Sequence, residues 1–117
     1  MVRPERVRRL ALGLLGTSEQ DHHGRPSFRV GGHIFATLWD DTHLNVMLEP
    51  QRIEALSSEP TGMCVPIRWG RRLAALQVHL ERATPGEVAL LLEEAWRRRT
   101  RVTPTAPPRR RSPTPAE

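Results

Sequence analysis

Two consecutive glycines, Gly31-Gly32, stand between the runs SFRV and HIFATLW. The flanks are rich in β-branched and aromatic residues, and glycine accepts the positive φ that a two-residue hairpin turn demands. The pair therefore commits this part of the chain to an antiparallel ribbon. With only two residues in the turn, Val30 faces His33, Arg29 faces Ile34 and Phe28 faces Phe35. Side chains alternate along a strand, so Phe28, Val30, Phe35 and, at its end, Trp39 share the face expected to form the core. Arg29, Ile34, Ala36 and Leu38 share the other, which is expected to be half covered or held for a partner.

The neighbouring segments supply the rest of the architecture. Residues 3 to about 15 read as a helix, because Val7, Leu10, Ala11 and Leu14 recur on one face and Gly16 suits its end. TSEQDHHGR is polar and reads as a loop. HLNVML alternates as a further strand with Leu44, Val46 and Leu48 together. PQRIEALSS opens on proline and reads as a short helix with Ile53 and Leu56 inward. MCVPIRW and LAALQVHL are two more strands joined through GRR, and Pro66 places the first of them at an edge. Thr84-Pro85-Gly86-Glu87 has the pattern of a capping box. It starts a helix whose stripe is Val88, Leu91, Leu92, Ala95 and Trp96. The expected fold is α+β, ordered α-β-β-β-α-β-β-α. A mainly antiparallel five-stranded sheet has the helices packed on it.

A chain of 117 residues fits one domain, placed at 1–101. After it the composition changes: VTPTAPPRRRSPTPAE is proline-rich and basic, and 102–117 is expected to be a disordered tail. The longest apolar run near the start, LALGLL, is far short of the ~20 residues of a spanning helix. With a single cysteine, Cys64, no internal disulfide is available, and a soluble cytoplasmic protein is expected. Every basic residue is arginine, a bias that GC-rich coding also produces. The formal charge of +5 is uneven. Residues 17–67 carry three arginines against seven acids, whereas residues 68–101 carry eight arginines against four. Such a field can orient a polyanion without identifying one.

GRPSFRVGGHIFATL, followed by a further strand, the PQRIEAL helix and a late hairpin, resembles the MmcQ/YjbR family over roughly residues 5 to 100. The resemblance implies a small α+β fold of the secretion-chaperone kind. It also implies DNA binding by a "double wing", two hairpin loops projecting toward the duplex. His33 stands where the family frequently has a lysine, and RWGRRLAAL is a loose match to the later hairpin.

Carried onto this sequence, the wings place Arg25, Arg29 and His33 around the first hairpin and Arg68, Arg71 and Arg72 around the second. Guanidinium groups on projecting loops hold phosphates and fix register; the plain alternative is solvated surface arginine. Trp69, beside Arg68 and Arg71, is the tryptophan best placed for stacking, while Trp39 and Trp96 read as packing residues. RRRTR at 97–101 reads as a charge-favourable helix C-terminus. Asp21-His22-His23 and Asp40-Asp41-His43 lack a metal-ligand spacing, so no metal and no cofactor are expected. Cys64 reads as a buried structural thiol, and Glu93-Glu94 as a solvated face. No catalytic residues are assigned and the chain reads as a non-enzyme. The partner expected is DNA, bound with weak sequence selectivity. The alternative is a protein partner on the open sheet face, by analogy with secretion chaperones.

Overall fold

Residues 1–102 are described by a computed structural model of the protein. Its elements are α1 (Pro4–Leu12), β1 (Ser18–His22), β2 (Arg25–Val30), β3 (His33–Asp40), β4 (His43–Val46), α2 (Pro50–Ser57), β5 (Cys64–Trp69), β6 (Arg72–His79) and α3 (Pro85–Val102). The strands form one antiparallel sheet in the order β1-β2-β3-β4-β6-β5. The tail expected over 102–117 lies, but for its first residue, outside the described residues.

The glycine pair turns the chain as expected, with φ of 59° at Gly31 and 81° at Gly32. Val30 pairs with His33 and Arg29 with Ile34. The next pair corrects the expected register: Phe28 faces Ala36, not Phe35, because a bulge makes Phe35 an extra residue of β3. The bulge offsets the alternation by one position. Phe35, Ala36 and Leu38 therefore all join the buried core, while Trp39 leaves it and is 43% exposed.

The sheet has six strands where five were expected. The additional one is β1, formed by residues expected to be a loop, and all five of its residues are exposed. An edge strand that buries nothing carries no apolar alternation. It is held by its ladder to β2 and by Arg8, whose Nε and Nη2 donate to the Glu19 carboxylate at 2.7 and 3.0 Å. Helix α1 also ends earlier than expected, at Leu12, and the chain turns through Gly13 to Gly16. Pro66 does sit on an edge strand, β5.

The core lies between one sheet face and the helices. Leu44, Val46, Leu48, Leu76, Val78 and Leu80 meet Val7, Ile53, Val88 and Leu92, all buried. The capping box forms as its spacing requires. The Thr84 amide donates to Glu87 Oε1 at 2.9 Å, and the Glu87 amide donates to Thr84 Oγ1 at 3.1 Å. Glu93 and Glu94 are not merely solvated: they accept from Arg97 at 2.6 Å and from Arg52 of α2 at 2.8 Å.

Truncating the inward face of α3 leaves a void under the sheet. Leu92→Ala is expected to lower unfolding free energy by about 2–5 kcal/mol in a urea titration. Leu90→Ala, on the exposed face of the same helix, should stay within about 0.5 kcal/mol of wild type. Equal losses in the two variants would show that the inward face is misassigned.

Candidate nucleic-acid interface

The face of the sheet away from the helices is built from the alternate residues. Gln20, Ser27, Thr37, Asn45 and Gln77 lie opposite one another across β1, β2, β3, β4 and β6, making a polar row five strands wide. The row is internally bonded. Ser27 Oγ donates to the Gln20 carbonyl at 2.8 Å, and Gln77 Nε2 donates to Asn45 Oδ1 at 3.1 Å. Arg29 Nε reaches Ser27 Oγ at 3.2 Å, which anchors the arginine stem over the row.

Above this floor lies a concavity of about 610 Å³, open along the sheet. Arg25, Arg29, His33 and Arg72 all line it, so four of the six residues expected at the wings converge on one site. The other two, Arg68 and Arg71, are exposed at the β5–β6 tip and do not line it. Arg25 and Trp39 form a unit at one end. The guanidinium carbon lies 3.7 Å from the ring centroid, and Nη1 donates to the Trp39 carbonyl. A stacked cation of this kind contributes about 0.5–1 kcal/mol at an exposed site and fixes the arginine in place. Trp69, 64% exposed and paired with Arg72 in the ladder, borders the other end.

Two lining residues were not expected from the sequence: Arg98 and Arg99, near the C-terminus of α3. An 18-residue helix is about 27 Å long. It runs to the Gly31-Gly32 end of the sheet, where Arg99 Nε donates to the Ile34 carbonyl at 3.0 Å and Arg98 Nη1 to the Met47 carbonyl at 3.4 Å. A signal did exist. Position 99 follows Ala95 by four and Trp96 by three, so Arg99 continues the inward stripe and is half-buried, as a merely solvated arginine would not be. Burial, then the neighbouring charges of Arg98 and Arg72, lower the Arg99 pKa from its ordinary value.

Among the described residues, no aspartate or glutamate lines the concavity. Several of the acids are committed elsewhere. Glu19, Glu93 and Glu94 pair with Arg8, Arg97 and Arg52, and Glu87 caps α3. Asp40 closes the β3–β4 turn, accepting from the Thr42 amide at 2.9 Å and meeting His43 Nδ1 at 2.8 Å. Partial burial there opposes ionisation, but the Thr42 amide and His43 outweigh it and hold the Asp40 carboxyl below its ordinary range. That carboxylate is committed to the turn.

The two hairpin tips, at Gly31-Gly32 and Gly70-Arg71, lie at the same end of the sheet. The strand directions require it, since β3 and β6 both start there. In the strand order they are three inter-strand spacings apart, roughly 14 Å.

Cys64 takes no part in this surface. Its thiol is buried, and burial raises its pKa to about 11. At pH 8 a disulfide-exchange reagent such as Ellman's should therefore leave the folded protein unlabelled and titrate one thiol in denaturant. Fast labelling of the native protein would show an accessible thiolate instead.

Compared with known proteins, residues 12–98 match the family model described as YjbR. No curated protein and no solved structure matches the chain.

Proposed function

The chain belongs to the YjbR family, as the match over residues 12–98 shows, and from that premise we propose that it binds duplex DNA through the arginines of its two hairpin tips. Arg29 and His33 serve the first tip, and Arg68, Arg71 and Arg72 the second. The observation that carries this reading is the placement of both tips at one end of the sheet, roughly 14 Å apart along it. A B-form major groove is about 12 Å wide, so the tips can reach phosphates on either side of it. No aspartate or glutamate lines the concavity beside them, so its walls add attraction for a polyanion.

Binding of this type is weakly selective. Guanidinium–phosphate contacts fix position but read no base edge. A binding role is favoured over a catalytic one by the state of the reactive groups: the single thiol is buried and protonated, and Asp40 is held by its turn. The described residues hold no helix long and apolar enough to cross a membrane.

Arg68→Ala combined with Arg71→Ala removes two exposed cations from the second tip. Each lost phosphate contact should flatten the plot of log affinity against log salt by about 0.9, so the slope should fall by about 2. The loss should be the same on unrelated duplexes, with the melting temperature unchanged. An unaltered slope would remove the second tip from the interface. Failure of the intact protein to bind any duplex at low salt would overturn the reading and favour a protein partner on the sheet face.

A further inference from the structure

We propose that the concavity on the open sheet face is a binding site for a small nucleoside phosphate, one that shares Arg29, His33 and Arg72 with the duplex contacts but leaves out Arg68 and Arg71. The phosphate would lie at its α3 end, among Arg72, Arg98 and Arg99, and the base against the apolar wall that leads to Trp69.

The first argument is electrostatic. Three guanidinium groups are brought together by elements far apart in sequence, β6 and the end of α3, and among the described residues none of them has an acidic partner. Arg99 is half-buried and feels the charges of Arg98 and Arg72, so like charges repel one another in a partly desolvated place. An anion relieves it. A phosphate monoester, with a charge of about −1.5 to −2 near neutral pH, matches a cluster of this charge better than a monocarboxylate. Its oxygens also suit the donor forks of arginine. Arg98 and Arg99 each spend one donor on a backbone carbonyl, of Met47 and Ile34, which positions the guanidinium without consuming it.

The second argument is shape. A volume of about 610 Å³ falls within the ~300–1,000 Å³ typical of small-ligand sites. Beside the cations the wall is apolar, formed by Ile34, Met47, Leu73 and Ala74, and Trp69 stands exposed at the rim. A planar base fits such a wall and can stack on the indole. Thr37 and Asn45 on the floor offer the polar edges that orient a base. A bare inorganic anion would leave this half of the site unused.

The test is calorimetric titration of the full chain with adenosine monophosphate, inorganic phosphate and adenosine. The nucleotide should bind saturably, with inorganic phosphate and adenosine each at least about tenfold weaker. Arg99→Gln should weaken the nucleotide about tenfold, the scale of one charge-assisted hydrogen bond. Because that variant also loses a contact that docks α3, Arg72→Ala provides a second measurement at an exposed position. It should give a similar loss with an unchanged melt. Arg68→Ala with Arg71→Ala lies outside the concavity and should leave the nucleotide isotherm intact even where it reduces duplex affinity. The proposal is overturned by absence of saturable binding at millimolar nucleotide, by equal affinity for inorganic phosphate, or by full binding in Arg72→Ala. Duplex binding without nucleotide binding sinks this proposal alone, and the reverse sinks only the duplex reading.

Discussion

The register that sets Ser27, Thr37, Asn45 and Gln77 side by side across β2, β3, β4 and β6 also fixes what lies on both faces of the sheet. One residue further along, Phe28, Ala36, Val46 and Leu76 form the matching buried row against the helices. A slip of one residue in any strand would exchange these rows, putting amides in the core and aliphatics in water. The apolar row sets the penalty for slipping and the glycine turn sets the starting point. The bulge at Phe35 then lets β3 place an aromatic and an alanine in the core in succession. Had β3 stayed regular, Trp39 would point into the core and the open face would lose its aromatic end.

Segregation of charge is the second consequence of this arrangement. Residues 17–67 are acidic as a segment, yet they contribute the floor and much of the wall of a cationic concavity. The resolution lies in direction, since a strand sends neighbouring side chains to opposite faces. Glu19 of β1 pairs with Arg8 of α1, on the helix side, and Asp40 is bound in a turn. Arg25, Arg29 and Arg72 meet Arg98 and Arg99 on the face the helices leave open. A binding surface on this scaffold therefore costs the core nothing, because the residues that line it alternate with those that hold it.

Helix α3 links the two sides. Its capping box fixes where it starts, its apolar stripe fixes which side meets the sheet, and its length carries Arg98 and Arg99 to the hairpin end. The bond from Arg99 to Ile34 ties the helix terminus to β3 of the first tip, and the bond from Arg98 to Met47 ties it to the end of β4.

The sequence by itself determined the elements whose signal is local. The Gly31-Gly32 turn, the Thr84–Glu87 box, the edge position of Pro66 and the inward stripes of α2 and α3 each follow from backbone preference or periodicity within a few residues. The family likeness rests on GRPSFRVGGHIFATL, the strand and PQRIEAL helix that follow it, and the late hairpin. Tertiary structure decided what depends on pairing between distant strands. Strand β1 exists because β2 offers it a ladder, although its residues carry no apolar pattern. The bulge that moved Phe35, Ala36 and Trp39 responds to the partner strand and leaves no mark in composition. Arg98 and Arg99 looked like a favourable charged helix end, and only the packing of α3 along the sheet showed them beside Arg72. A row of alternating residues states which side chains share a face; which cations meet across that face depends on how far each element reaches, and that is settled by packing.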